Sequence, residues 1–246
     1  MSTMEPLSSP GKSAAAIVDA MLAVVAHQGL DRATVREVAK AARVSIGTVQ
    51  HYFPTKDNML AAAFTEVVRR IRTRVEATLL TSNASNDAGE NLTAVLHELL
   101  PLDERRATEV RVQVAFAARA ATTPALADLQ QAILAEVRQG LREAFALILG
   151  DGDHGDSSRH VANAALALVD GLAQHAVSTT VPLTAADMTA ALATLLDPLL
   201  RRTPPPELTL TNGAWLIAPP GGASRVRATG PLQPGRRGPA TNSSST

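Results

Sequence analysis

The chain has 246 residues, enough for one large domain or two small ones with a real core. Hydrophobic residues make up 46 % of the chain and aromatic residues only 2 %, so its apolar side chains are mainly Ala, Leu and Val, which favour packed helices over sheets. The formal net charge is zero and there are no cysteines, which excludes disulfides, zinc fingers and thiol chemistry and requires any DNA-binding surface to arise from local clustering of charge.

The chain is predicted to begin with a flexible arm, because residues 1–12 are rich in Ser, Pro and Gly. No basic stretch is followed by an apolar block, and no apolar run approaches the ~20 residues of a membrane helix, so we expect a cytoplasmic protein. Ser13 is the predicted cap of a first helix, whose apolar stripe runs from Ile17 to Val25. Gly29 is typical of the residue that follows a helix end.

Two short helices follow, in an arrangement typical of a helix-turn-helix. Thr34 precedes a glutamate by three residues, which predicts a capping box at the start of the second helix. Ser45 is the predicted cap of the third helix, in which Val49 and Phe53 lie one turn apart and are expected to point inward. Pro54 is expected to end that helix.

From Lys56 to about residue 202 the pattern is helical almost throughout. A fourth helix is predicted to run to about Leu80. Few segments alternate with period two, so we predict an all-α fold of about nine helices. The later helices are predicted over about 88–100, 103–121, 124–149, 158–180 and 184–201.

The composition changes after residue 202, and residues 203–246 are predicted to form a mostly disordered tail rich in Pro, Gly and Ser. One segment of this tail differs, because Leu208–Thr211 and Ala214–Ile217 flank an Asn-Gly pair, which is a strong hairpin signal. A lone two-stranded hairpin is marginally stable in water. We therefore favour the alternative, in which this segment is a sticky part of the tail that docks on a neighbour.

The third helix and its surroundings carry the side chains that a DNA recognition helix needs. Small residues let the backbone approach base edges and phosphates, glutamine pairs with adenine, and His, Tyr, Lys and Arg donate to phosphate. A helical corner without a ligand is the alternative, but here these residue types occur together at fixed offsets. The predicted DNA-binding residues are Thr34, Arg36, Arg43, Ser45, Gly47, Thr48, Gln50, His51, Tyr52 and Lys56.

The segment VREVAKAARVSIGTVQHYFPTKDNML, residues 35–60, resembles the N-terminal domain of the tetracycline-repressor (TetR) family. The resemblance covers about residues 14–64. Three positions depart from the family pattern: Arg43 replaces the usual turn glycine, Gln50 replaces a tyrosine, and Tyr52 stands where histidine is usual. A positive φ at Arg43 would be strained by about 1 kcal/mol. We expect these departures to change which operator is read.

The resemblance implies a homodimeric transcriptional repressor that binds a palindromic operator and is released by a small-molecule effector. It implies a DNA-binding domain at residues 13–56 and a ligand-binding and dimerisation domain at 57–202. In the family the eighth and ninth helices pack against the dimer mate, although an intrachain core would use the same apolar faces. The corresponding candidates for a dimer interface are Val161, Ala165, Leu168, Leu172, Leu192, Leu195, Leu196 and Leu199.

The resemblance also implies an effector pocket among the remaining helices, and we look there for polar or aromatic side chains on apolar helices. Solvated surface charge and a hydrogen-bonded interface histidine are alternatives for some of them. The candidates are Gln113, Phe116, Arg119, Arg138, Phe145, Asp170, Gln174 and His175.

The chemistry of the effector is indicated by two opposing features. The segments FAARAATTPALADLQ and ALALVDGLAQHAV are similar to the choline-responsive branch of the family. An aromatic cage for a quaternary ammonium group needs several rings, and only Phe64, Phe116 and Phe145 lie outside the DNA-binding head and the tail. We therefore expect an aliphatic pocket with a few polar anchors, suited to an acyl, polyketide-like, uncharged or anionic ligand.

An enzyme and an all-helical interaction module without DNA binding are the competing functions. The cluster Asp151, Asp153, His154, Asp156 and His160 contains metal-ligand types, but its spacing matches no calcium loop or zinc motif and favours an acidic interhelical loop. The chain has no phosphate-binding loop, dinucleotide fingerprint or Gly-x-Ser-x-Gly elbow. We therefore expect no catalytic residues, no metal and no cofactor.

Overall fold

The computed structural model of the protein describes residues 10–81, 88–150, 156–200, 209–211 and 214–216. Residues 1–203 form one compact unit and residues 204–246 a second one. The described part of the first unit consists of nine helices, which confirms the predicted all-α fold. These helices are α1 (Pro10–Gln28), α2 (Val35–Ala42), α3 (Ile46–Tyr52), α4 (Lys56–Thr81), α5 (Ala88–Glu98), α6 (Glu104–Ala120), α7 (Pro124–Leu149), α8 (Asp156–Ser178) and α9 (Ala185–Leu200).

The start of α1 is the main difference from the expected helix boundaries. The helix begins at Pro10, three residues before the predicted cap Ser13, so the predicted arm of residues 1–12 is too long at its C-terminal end. Proline suits a first turn because the N–H that it lacks has no helical partner there. Residues 1–9 lie outside the described part of the chain.

None of the helices in the described ranges combines the length and the hydropathy needed to cross a bilayer.

A first hydrophobic core joins α1 to α4 and extends into α6 and α7. Ile17 of α1, Val49 of α3 and Leu60 of α4 are fully buried in it. The ring of Phe64 on α4 stacks on that of Phe116 on α6, with centroids 3.9 Å apart and an interplanar angle of 11°. The domain boundary predicted between residues 56 and 57 therefore lies within a continuous core, and α6 packs directly on the N-terminal helices.

A second core lies between α5, α7, α8 and α9. Leu96, Phe145 and Leu192 are fully buried there, and Val169 is 2 % exposed. Because these residues are mostly aliphatic, burial of their side chains supplies the main favourable free energy of this half.

A cluster of charges joins the second half of α4 to α5 and α6. The guanidinium group of Arg74 donates to both carboxylate oxygens of Glu109, at 3.1 and 2.8 Å, and through Nε to Glu98 at 3.2 Å. The side chain of Glu109 is only 2 % exposed. Because burying an ion pair costs desolvation energy, the net contribution of this cluster to stability is smaller than its Coulombic attraction.

The second unit contains strands β1 (Thr209–Thr211) and β2 (Ala214–Leu216). They pair antiparallel, with Thr209 opposite Leu216 and Thr211 opposite Ala214. The pairing of these two strands agrees with the hairpin alternative rather than with the favoured docking segment. The rest of the predicted tail, residues 203–208 and 217–246, and the Asn-Gly pair itself lie outside the described residues, as do residues 201–202.

Candidate nucleic-acid interface

Side-chain caps fix the starts of α2 and α3. The Thr34 hydroxyl accepts the N–H of Glu37 at 3.2 Å, and the Ser45 hydroxyl accepts the N–H of Thr48 at 3.0 Å, as predicted. The N–H of Thr34 is donated to the carbonyl of Arg32 at 2.8 Å, so only one half of the expected capping box is formed. These caps set where each helix begins and so which side chains of α3 face outward.

The turn between α2 and α3 contains Arg43 in the left-handed region, with φ 57° and ψ 40°. It is the only residue other than glycine with positive φ in the described part of the chain. Its N–H and that of Val44 satisfy carbonyl groups at the end of α2, the Val44 N–H reaching the carbonyl of Ala39 at 3.0 Å. The departure from the family's glycine therefore does leave a strained backbone, which costs about 1 kcal/mol.

The polar side of α3 faces solvent and its apolar side is buried. Ser45, Gly47, Gln50 and His51 are exposed, whereas the side chain of Val49 is fully buried in the first core. Thr48 and Tyr52 are half-buried, and the ring of Tyr52 contacts that of His51 edge to face at a centroid distance of 5.2 Å. Phe53, the other predicted inward residue, is half-buried against the same core.

Gly47 is not required by the packing of the protein itself. A Cβ atom built at this position meets only the Ser45 hydroxyl oxygen, at an ordinary distance of 3.7 Å. Glycine within a helix is less favourable than alanine by about 0.5–1 kcal/mol. The missing side chain leaves the outer surface of α3 open to close approach by another molecule.

The basic residues around α3 differ from those of the helices behind it. Every arginine of α4 and α6 is ion-paired in the described structure. Arg36, Arg43 and Lys56 make no ion pair with any described residue, and Arg36 and Arg43 are exposed, as is Thr34. Lys56 is half-buried and its ammonium group lies 3.5 Å from the carbonyl oxygen of Asp31. Uncompensated positive charge therefore collects around α3, although the whole chain is neutral.

A cavity of about 680 Å³ lies between α4, α5 and α7. Its walls are mainly aliphatic, with side chains such as Val75, Leu92 and Leu141. We call it the α4–α5–α7 cavity. Its polar or charged lining residues are Arg72, Asn91 and Glu136.

None of the eight candidate effector residues lines the α4–α5–α7 cavity. Phe116 and Phe145 are fully buried in the two cores, and Gln113 is half-buried on α6. Arg119 is ion-paired with Asp57. The remaining four lie on α7 and α8: Arg138 and Asp170 line a separate cleft of about 400 Å³, and Gln174 and His175 are exposed on α8.

Sequence reasoning missed the polar residues of this cavity. The criterion applied to α6, α7 and α8, a polar side chain on an apolar helix, also applies to Asn91 within the segment NLTAVLHELL. Arg72 and Glu136 are charged residues on helices, as are the candidates Arg119, Arg138 and Asp170, and the sequence does not show which of these charged side chains line a cavity and which only face solvent.

The proposed dimer residues divide into two groups. Ala165, Leu192 and Leu196 are at most 1 % exposed within a single chain, so the intrachain alternative is correct for these three. They fill the second core and have no surface left for a partner. The other five, Val161, Leu168, Leu172, Leu195 and Leu199, are partly buried against the same core.

The acidic cluster considered as a metal site is only partly described. Asp151, Asp153 and His154 lie outside the described residues, and Asp156 pairs with Arg159 at 2.8 Å. His160 is exposed on α8. Within the described residues, no three His, Asp or Glu side chains are grouped so as to hold a metal ion.

Two family models match the chain. Residues 17–63 match the model described as bacterial regulatory proteins, tetR family, and residues 88–201 match that of the BetI-type transcriptional repressor, C-terminal. The chain is 29 % identical to the HTH-type transcriptional regulator PksA of Bacillus subtilis over 65 % of this chain and 77 % of that protein. These are models and relatives of transcriptional regulators, not of enzymes.

Solved structures of regulators share the fold. A transcriptional regulator from Rhodococcus sp. Rha1 is 38 % identical, with a TM-score of 0.66 over 79 % of this chain and 97 % of that one. A regulator from Saccharomonospora viridis, solved in complex with choline, is 20 % identical, with a TM-score of 0.68 over 76 % of this chain and 96 % of that one.

Proposed function

The chain belongs to the TetR family of transcriptional regulators, and from this premise we propose that it is a cytoplasmic homodimeric repressor that binds a palindromic operator and is released by a small-molecule effector. The observation that carries the proposal is the orientation of α3. Its polar side chains face outward, Val49 anchors it from behind, and the cations around it, Arg36, Arg43 and Lys56, make no ion pair with any described residue. A helix of this kind enters the major groove while the flanking cations contact phosphates.

Dimer formation is part of the proposal because one short helix makes few base contacts. Two copies on half-sites about one helical turn apart multiply these contacts and give selectivity. The partly buried candidates on α8 and α9, such as Leu168 and Leu195, border the second core and remain the candidates for the dimer interface.

Release by an effector is supported by the position of α4. This helix begins at Lys56 beside α3, and further along it contributes Val75 and its neighbours to the α4–α5–α7 cavity. A molecule in that cavity therefore contacts the helix that carries a proposed phosphate contact. It weakens DNA binding only if it binds more tightly to the arrangement of α4 that cannot bind DNA.

The test is binding of the purified protein to the DNA upstream of its own gene, measured by fluorescence anisotropy and footprinting. We expect protection of a palindrome by two protomers and a logarithm of affinity that falls linearly with the logarithm of salt concentration. The matched control is the same DNA with one half-site replaced, which should bind far more weakly. Equal binding to both DNAs would contradict sequence-specific recognition by a dimer.

A further inference from the structure

We propose that the α4–α5–α7 cavity takes an uncharged aliphatic molecule that donates a hydrogen bond, from a hydroxyl or N–H group, to the side-chain oxygen of Asn91. This inference rests on the proposed effector-responsive function and names the chemical class of the effector. Three features of the cavity support it: the aliphatic walls, the unsatisfied Oδ1 atom of Asn91, and the mutual pairing of Arg72 and Glu136.

The walls of the cavity favour an aliphatic ligand. Side chains of α4, α5 and α7, among them Ile71, Val95 and Val137, form most of the lining. The volume of about 680 Å³ falls within the usual range of small-molecule sites. Removing an alkyl chain from water into such a space is favourable in proportion to its buried area.

Asn91 supplies the polar anchor. Its Oδ1 atom is buried and accepts no hydrogen bond from any described residue. Buried polar atoms of folded proteins nearly always have a partner, because leaving one unsatisfied costs free energy. Because this atom has almost no accessible surface in the unliganded structure, the Asn91 amide turns towards the cavity when a ligand binds, and a ligand hydroxyl or N–H group provides the missing donor. An ether or an alkane of the same size does not.

The charges of the cavity favour a neutral ligand. Its two charged lining residues, Arg72 on α4 and Glu136 on α7, pair with each other at 2.7 Å and cancel. Both side chains are well exposed to solvent, 59 % and 65 %. Neither an anion nor a cation therefore finds an uncompensated counter-charge among the described lining residues.

Quaternary ammonium compounds are disfavoured by a further property of the lining. No aromatic ring is present among the described residues that line the cavity. Recognition of such cations commonly depends on several rings that surround the positive charge. Choline, bound by the structural neighbour from Saccharomonospora viridis, is thus not the class of molecule that this cavity fits.

Gly140 offers a way to block the cavity without disturbing the fold. It lies on α7 in the cavity lining, and a Cβ atom built there meets nothing within 4 Å. A leucine at this position is accommodated by open space, and glycine-to-alanine changes favour a helix. Gly140→Leu is therefore a steric block, and Gly140→Ala is its matched control.

The experiment is isothermal titration of the full chain with 1-octanol, with 1-methoxyheptane, which has the same number of heavy atoms and no donor, and with choline. We expect 1-octanol to bind about tenfold more tightly than the ether, and choline not to bind. In Asn91→Leu, which keeps the number and branching of the side-chain heavy atoms but removes the acceptor, both compounds should bind equally. Gly140→Leu, which fills part of the cavity, should weaken binding of 1-octanol, and Gly140→Ala should leave it unchanged.

Equal affinity for 1-octanol and the ether in the unmodified protein, or binding of choline, would overturn the inference. So would no binding of 1-octanol, or preservation of the preference in Asn91→Leu. Operator binding is measured in parallel without any ligand. If the protein binds the operator but not 1-octanol, the inference about the cavity is wrong and the proposed regulatory function still holds. If it binds 1-octanol but not the operator, the cavity assignment is supported and the proposed function is wrong.

Discussion

Arg119, near the end of α6, donates from Nε and Nη2 to the two carboxylate oxygens of Asp57 in the first turn of α4, each at 2.9 Å. The hydrogen bond from Arg119 is the largest cause that lowers the pKa of Asp57, and the charge of Lys56 also contributes. The pair ties α6 to the turn of α4 that follows the recognition helix. Arg119, considered from sequence as an effector contact, is better explained as a residue that positions α4.

Replacing Arg119 by alanine is expected to affect operator binding more than stability. The ion pair is partly exposed and screened by solvent, so the free energy of unfolding should change little. Operator affinity should fall several-fold because the start of α4, with Lys56, is less well fixed. Arg111→Ala is the control, since Arg111 pairs with Glu104 within α6. Equal operator affinity of the two variants, measured by anisotropy, would show that the Arg119 pair does not position α4.

Arg43→Gly and Arg43→Ala separate backbone strain from DNA contact. Glycine adopts the observed φ of 57° without steric cost, whereas alanine does not. Denaturant titration should therefore show Arg43→Gly to be about 0.5–1 kcal/mol more stable than Arg43→Ala. Both variants should lose the same operator affinity if the guanidinium group contacts phosphate. Unchanged affinity in both would rule out that contact.

Gly47→Ala is expected to stabilise the protein and weaken operator binding. The added methyl group has room within the protein and favours the helix, by about 0.5–1 kcal/mol. It also occupies the surface by which α3 is proposed to approach DNA. Gly171→Ala on α8 is the matched control, because a Cβ there meets nothing within 4 Å. Retention of full operator affinity in Gly47→Ala, with melting temperature raised, would argue against close approach of DNA at this position.

Lys56→Ala should weaken binding to all DNA sequences and reduce the salt slope by about one. The physical reason is the loss of one phosphate contact. Arg159→Ala, an exposed cation on α8, should leave the slope unchanged. A loss confined to one operator variant for Lys56→Ala would contradict its assignment to phosphate.

Gln50→Ala should cost about 1–3 kcal/mol at one base pair of the operator if Gln50 reads a base.

The lowered pKa of Glu66 predicts a contribution to the free energy of unfolding that is lost at acidic pH. Hydrogen bonds from Arg69, at 2.7 and 2.8 Å, and then from Arg70 lower the pKa of Glu66 to about 2, although its partial burial opposes them. Because the pKa is lower in the folded state, this stabilisation is present above about pH 4.5 and is lost as pH falls towards about 2.

Unfolding titrations of Glu66→Gln should test this at several pH values. The variant is expected to be about 1–2 kcal/mol less stable near neutral pH, the value being limited by solvent screening of the exposed Arg69. The difference should shrink towards zero at about pH 2. Glu76→Gln is the control, since Glu76 is an exposed carboxylate on α4 without an ion pair in the described structure. A difference that does not change with pH would contradict the assigned pKa shift.

Local features of the fold were predictable from sequence. The α7 helix spans the predicted residues 124–149, because Pro124 at its start and Gly150 after its end are strong local signals. Gly150 has φ 69° there. The caps Thr34 and Ser45 were predictable for the same reason, since each bonds to an N–H only three residues away.

Contacts between distant segments were not predictable. Helical periodicity tells which face of a helix is apolar, but not which neighbour covers it. Leu192 was therefore predicted to contact a dimer partner, whereas in the structure it is buried in the core of its own chain. The pair of Arg119 and Asp57 joins residues 62 apart in sequence. The α4–α5–α7 cavity depends on the spacing of three helices, which no local pattern records.

The buried pair of Arg74 and Glu109 has a consequence for inheritance. A neutral residue at position 74 would leave the buried carboxylate of Glu109 with only the exposed Arg105, 3.9 Å away, and a neutral residue at position 109 would leave Arg74 paired with Glu98 alone. Losing one partner of a buried pair costs up to about 3–5 kcal/mol, whereas changing both to apolar residues costs far less. Homologues of this regulator can therefore change from the charged to the apolar combination only through a poorly stable protein in which one of the two positions has changed. Positions 74 and 109 should accordingly evolve together, as a matched pair.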